Sequence, residues 1–302
     1  MNPRAQIRWL SDGRRLHLQD GPIDLILEAF GAPGEVGAAY RAACERFGTV
    51  LDELCGELPF LRTALPSGAA AEAHWPQGAV ARRMTAATMP YAAQHFITPM
   101  AAVAGAVADE ILAAMVGAAE LSRAYVNDGG DIAIHLSAGE KFVVGMVERP
   151  DRPSLFGAAT FDASQPARGI ATSGWRGRSF SLGIADAVTV LAHDGATADA
   201  AATIIANAVD LPGHPQIVRV PARELSPESD LGNLPVTQSV GELTPVEIDE
   251  ALESGARGAE SFLQSGLIHA TALCLQGAVR VVGGVEFAQI DSFIREGSLV
   301  HA

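Results

Sequence analysis

The chain has 302 residues, 48% hydrophobic and 19% charged, a globular composition long enough to bury a substantial core. Its 21 basic and 35 acidic residues give a net charge of −14, which argues against non-specific binding to nucleic acid or anionic lipid. Cys44, Cys55 and Cys274 are scattered and form no CxxC pair, so they read as small apolar core residues, exclude a recognisable zinc cluster and argue against a disulfide framework.

The opening "QIRWL…RRLHLQDGPIDLILEAFG" alternates apolar and polar residues around the turns "SDG" and "QDGP", which predicts two or three antiparallel strands. It carries no charged-then-apolar leader with a small-residue cleavage site. From Pro33 to about Leu58 apolar residues recur at helical spacing. Residues 62–80 are small and proline-containing, a loop leading to a helix around 80–92. Pro99 opens an Ala-rich helix to about Ala119, in the first-turn position where proline is tolerated. Asp109 and Glu110 interrupt that apolar run, which makes it a buried helix and not a membrane span.

After it come short β-prone runs: "RAYVNDGGDIAIHL", "EKFVVGMVE", "SLFGAATF", "RGIATSGW" and "FSLGIADAVTVLA". A helix over 197–209 follows, with Thr197 as its N-cap, then the strand "QIVRVPA", a loop through 235, and a helix near 244–264. Two strands, "IHATALCLQ" and "AVRVVGG", close the chain. The pattern predicts one α+β domain over 1–302 with mostly antiparallel strands and packed helices: N-terminal elements over 1–95, a motif-bearing core over 96–210, and a C-terminal part over 211–302.

Common catalytic signatures are missing: no Walker loop, GxSxG elbow, HExxH or Rossmann fingerprint. The eight histidines are dispersed, and His135 and His193 read as ordinary strand and turn residues. Three segments stand out. In "VNDGGDIAI", Gly129 and Gly130 form a hairpin turn, or a turn where backbone amides approach a ligand flanked by Asn127 and Asp131. In "GIATSGWRGRSF", Thr172, Ser173 and Gly174 make a polar turn before Arg176 and Arg178, a solvated hairpin or a phosphate site. In "TADAAATIIANAV", Asp199 and Thr203 lie one helical turn apart, where both can face one hard cation such as Mg²⁺. Asp199 near a helix start is also what the helix dipole favours on its own.

The order "GAVAD", "VNDGGDI", "ATSG", "VTVLA" and "ADAAAT" resembles the ApbE-type flavin transferases, which move FMN from FAD onto a protein threonine. More closely, the chain resembles a family of uncharacterised prokaryotic proteins distantly related to them. The ordered motifs run from about residue 96 to 210. The resemblance implies an ApbE-like, T-fold-related architecture and a Mg²⁺ held by Asp199, Thr203 and the carbonyl of Ala101. It further implies that the metal bridges to a dinucleotide pyrophosphate in a cleft lined by Asn127, Gly129, Gly130, Asp131, Thr172, Ser173 and Gly174.

The chain departs from those transferases at several points. Ala104 stands where they carry a lysine, although Gly105 and Asp109 remain. "WRGRSFSLGIADA" replaces a segment that in them holds a histidine, leaving Ser181 and Asp186 as polar substitutes. The lipoprotein leader usual among them is missing from this sequence. The expectation is therefore a cytoplasmic protein that binds a divalent metal with FAD, FMN or another nucleotide phosphate, with no nucleic-acid or membrane partner. FMN transfer or FAD pyrophosphate cleavage is the expected reaction class, and a protein acceptor of FMN is not expected. The alternatives are a binding protein without turnover, and an enzyme for an unrelated small phosphorylated or carboxylated metabolite. Ala-rich helices and strand edges allow a homodimer.

Overall fold

The computed structural model describes residues 4–65, 75–147, 155–284 and 287–288. In chain order the elements are β1 (Gln6–Trp9), β2 (Leu16–Asp20), β3 (Ile23–Gly31), α1 (Pro33–Leu61), α2 (Ala79–Thr88), α3 (Val103–Ala118), β4 (Leu121–Asp128), β5 (Asp131–Leu136), β6 (Lys141–Val147), β7 (Leu155–Asp162), β8 (Gly169–Ser173) and β9 (Ala187–Ala192). Then follow α4 (Gly195–Ala208), β10 (Ile217–Pro221), α5 (Ala222–Leu225), β11 (Pro235–Val240), α6 (Pro245–Gln264), β12 (Ala270–Leu275), β13 (Ala278–Gly283) and β14 (Phe287–Ala288). Every strand register described is antiparallel, so the α+β class with antiparallel sheets holds.

The chain divides into two compact units. The first comprises residues 1–142, 161–170 and 193–199, and the second the remainder. In the first unit the strands run β1-β2-β3-β4-β5, with the start of β8 against β5. β3 shows why: Ile23, Leu25, Leu27 and Ala29 alternate inward, while Asp24 and Ile26 stay half-exposed. Helix α3 packs on β4 and β5 and against α1 and α2. Its apolar sequence meets the length and hydropathy of a membrane span together with the preceding turn from Pro99. Gly105 to Asp109, Ile111, Leu112 and Met115 are nevertheless buried within the protein, as expected of a core helix.

The second unit carries β9-β12-β13 with the end of β8, the β10–β11 hairpin, and β6, β7 and β14. Helix α6 covers β12 and β13 and starts with a capping box between Thr244 and Glu247. Arg280 of β13 pairs with Asp249 and Glu253 of α6.

Several boundaries differ from the sequence expectation. Residues 180–186 are not strand. Gly183 sits so close to α4 that a Cβ would lie 2.1 Å from the Ala206 carbonyl, and the N–H groups of Leu182, Ile184 and Asp186 go to Asn207, Val209 and Cys274. The expected loop before 235 contains α5, and β11 begins at Pro235, a residue confined to strand starts and edges. Residues 99–102 are 3₁₀ rather than α-helical. Cys274 is buried as expected, but Cys55 is exposed and Cys44 half-buried, because they lie on the outer part of α1. Part of the 62–80 loop, residues 66–74, lies outside the described residues.

Candidate functional site

The site in the first unit is built where the N-termini of two helices meet. Helix α4 starts at Gly195, two residues before the expected Thr197 cap. The reason is Asp194, whose carboxylate accepts the Thr197 N–H at 2.7 Å. The two preceding N–H groups, of Gly195 and Ala196, go to Asp109 of α3 at 2.9 and 2.8 Å. In return Asp199 of α4 accepts the Gly105 N–H of α3 at 3.1 Å. Each helix thus supplies the carboxylate that satisfies the other's orphan donors.

Glycine makes this approach feasible. A Cβ on Gly105 would lie 2.2 Å from the Gly195 carbonyl oxygen, and one on Gly169 2.0 Å from that of Asp194. Asp109 is pushed up to about 6 by burial and by the neighbouring Asp194 charge, against the pull of the Ala196 and Gly195 N–H groups. Asp199 is raised well above the ordinary carboxylate range. Burial is the chief cause, the charge of Asp131 the second, and Asp128 adds to it, while backbone donors oppose the shift.

Asp128 and Asp131 are Cα partners at the end of the β4–β5 hairpin, closed by Gly129 and Gly130 at φ 64° and 115°. Asn127 accepts the Gly130 N–H at 2.8 Å and, by strand alternation, lies on the other sheet face. The structure thus brings Asp131 together electrostatically with Asp199, adds Asp128, and uses Asn127 to fasten the turn. Sequence reasoning did not single out Asp128 or Asp194. The alternation around the turn signals the first, and the Asp–Gly before an Ala-rich run signals the second.

Thr203 follows Asp199 by one turn along α4, is half-buried, and is counted with the second unit, which takes up the helix after Asp199. Ala101 sits in the 3₁₀ turn before α3, whose hydrogen-bond ladder begins from Ala102. Of the two N–H groups that could return to the Ala101 carbonyl, those of Ala104 and Gly105, that of Gly105 goes to Asp199. That carbonyl thereby lies ahead of the α3 ladder and loses its i+4 donor. Among the described residues no three His, Cys, Asp or Glu side chains form a metal cluster, so any cation here would rely on mixed oxygen donors.

Thr172, Ser173 and Gly174 belong to the second unit. The Thr172 hydroxyl pairs with that of Thr189 at 2.9 Å, and Gly174 is demanded by the Asp186 carbonyl, 2.4 Å from where a Cβ would stand. Asp186 is buried and accepts Arg176 Nε at 2.7 Å, Trp175 Nε1 at 3.2 Å and the Gln276 N–H at 2.6 Å. Arg176 also lies over the Trp175 ring, 4.2 Å from its centroid. Its charge is therefore already matched by a carboxylate. Ser181 donates to Asn207 Oδ1. His135 reaches the Leu121 carbonyl, and His193 lies beside Asp194 and Thr197, both in ordinary structural roles.

An antiparallel α+β chain with two crosswise-capped helices and a glycine hairpin of acidic residues defines the class. The family described as "AbpE bacteria" matches residues 7–281, and the chain belongs to that family. It is 38% identical over 128 residues to the UPF0280 protein of Methanopyrus kandleri, covering 42% of this chain and 48% of that relative. It is 37% identical over 139 residues to the UPF0280 protein of Methanocella arvoryzae, covering 43% and 50%. The chain spans about half the length of the curated relatives it matches. The solved ApbE protein of Thermotoga maritima is 12% identical, with 91% of this chain and 96% of that one covered and a TM-score of 0.44. Flavin transferase ApbE of Vibrio cholerae is 11% identical over 93% and 97%, with a TM-score of 0.42.

Proposed function

We propose that this chain binds a divalent cation, Mg²⁺, through Asp199, Thr203 and the Ala101 carbonyl, and through it a flavin or other nucleotide phosphate such as FAD or FMN. The observation that carries this reading is the Gly105 N–H, turned away from the Ala101 carbonyl to the carboxylate that would be that carbonyl's co-ligand. The donor set fits. It is hard oxygen throughout and supplies few protein ligands, which suits an ion that keeps waters and takes up phosphate oxygens. A cation would also offset the charge that Asp131 and Asp128 concentrate around buried Asp199. Bound there, the metal would orient a pyrophosphate and stabilise charge on the leaving phosphate. The Gly129–Gly130 turn, next to Asp131, would let backbone approach the ligand. FMN transfer or FAD cleavage to FMN and AMP is the reaction class of this reading, in a cytoplasmic setting.

A second reading, binding without turnover, is supported by the state of Ser181 and Asp186. Both are engaged in structural hydrogen bonds, so neither offers a free base.

The experiment is isothermal titration of FAD into metal-free protein, with and without Mg²⁺, on wild type and Asp199→Asn. The asparagine oxygen can keep the Gly105 bond while removing the charge. Magnesium-dependent binding lost in the variant is the expected result, followed by an assay for FMN and AMP release. Binding that is equal in both proteins would overturn the metal assignment, and binding without product would select the second reading.

A further inference from the structure

The first unit contains a second concavity, which shares no residue with the site above. β3 outruns β2: the register between them ends at Leu16 and Leu27, so Glu28 to Gly31 have no β2 partner. Tyr40 of α1 occupies part of that gap, accepting the Ala29 N–H at 3.1 Å and donating to the Arg14 carbonyl at 2.6 Å. What remains is a wide-mouthed cavity of about 1110 Å³ between the sheet and α1. That is slightly more than the range usual for small-molecule sites, roughly 300–1,000 Å³. Its walls are Ile7, Trp9, Leu16 and Ala29 from one face of the strands, with Val36 and Tyr40 from the helix. Trp9 stands edge-on to Tyr40 with ring centroids 5.0 Å apart, yet is 55% exposed. A tryptophan so placed offers a flat apolar surface to a ligand.

The rim is charged. Arg14 is committed to Glu28, at 3.5 Å. Arg41 is exposed, forms no ion pair among the described residues, and points back along α1, its Nη1 3.4 Å from where a Gly37 Cβ would stand. The missing side chain at Gly37 thus leaves the guanidinium beside the cavity wall, one turn from Glu45, with planar donors suited to a carboxylate. We infer that this cavity binds a small flat apolar monoanion, an aromatic or acyl carboxylate, with its body against Trp9 and Tyr40 and its head on Arg41.

The test uses the full chain and the fluorescent anion anilinonaphthalene sulfonate, with benzoate-type carboxylates as competitors. One saturable site per chain is expected, displaced by the carboxylates but not by the corresponding uncharged amides. Trp9→Ala and Arg41→Glu should each weaken it by about tenfold or more, a loss of roughly 1.4 kcal/mol. Both side chains are exposed, and circular dichroism checks that the variants fold. Cys44, in the cavity wall, supplies a local reporter, and exposed Cys55 on the same helix a control. Bound probe should slow alkylation of Cys44 several-fold and leave Cys55 unchanged. Equal binding by Arg41→Glu, an unprotected Cys44, or no saturation would overturn the inference. So would a Trp9→Ala variant that converts a dimer to a monomer, since the face would then belong to a second copy.

Discussion

Asp199 on α4 accepts the backbone N–H of Gly105 on α3 at 3.1 Å, while Asp109 on α3 accepts those of Gly195 and Ala196 on α4. The exchange ties the two helix starts together within a backbone contact that only glycine permits. It also places two buried carboxylates where the positive ends of helices converge.

Asp109 should make stability depend on pH with an uncommon sign. Its pKa is raised from 3.8 to about 6, so between those values the folded chain holds more protons than the unfolded one. Stability should therefore fall as pH rises through that window, by an amount on the order of 3 kcal/mol from this group. Denaturant titrations of wild type and Asp109→Asn across the window give the test. The neutral variant should behave like the protonated acid, so the slope from this site should vanish and its stability relative to wild type should rise across the window. Parallel curves would refute the prediction.

Gly105→Ala should destabilise the chain by about 1–3 kcal/mol or more, because the new Cβ meets the Gly195 carbonyl at 2.2 Å. Gly117→Ala, on the exposed end of the same helix with nothing within 4 Å, should stabilise by up to about 1 kcal/mol. Thermal melts of the pair separate close packing from helix propensity. Similar shifts in both would show that the helix crossing yields.

Mg²⁺ should raise the melting temperature of wild type and leave Asp199→Asn unmoved. At a hundred times the dissociation constant the gain is about 2.7 kcal/mol. Differential scanning calorimetry at several Mg²⁺ concentrations measures it. A wild-type melt independent of the ion would count against the metal reading.

Arg176→Ala should cost about 1–3 kcal/mol, since it strips buried Asp186 of its charged partner. Phosphate affinity should barely change, because the guanidinium is already matched. Urea denaturation and a phosphate titration together check this, and a large loss of phosphate binding would revive the arginines as an anion site.

Much of the fold was legible because its signals are local. Alternation in "IDLILEAF", the helical spacing after Pro33 and the double glycine after Asp128 each announce an element within a few residues. The segment 180–186 misled because its β-prone residues spend their N–H groups on partners 25 to 88 residues away in the chain, at Asn207, Val209 and Cys274. β11 was hidden for a related reason, since Pro235 and the polar residues of "PVTQSV" suit an edge hairpin that only its partner β10 defines.

The sequence by itself determined the secondary-structure class, the glycine turn, and the presence of Asp199 and Thr203 one turn apart on a helix, because those depend on short-range periodicity and steric freedom. Only the tertiary structure decided what the carboxylates do. Asp109 and Asp199 lie 90 residues apart in the numbering, and no local pattern relates them. Their reciprocal capping exists because folding brings two helix starts into contact at Gly105 and Gly195, where unsatisfied N–H groups would otherwise be buried without acceptors.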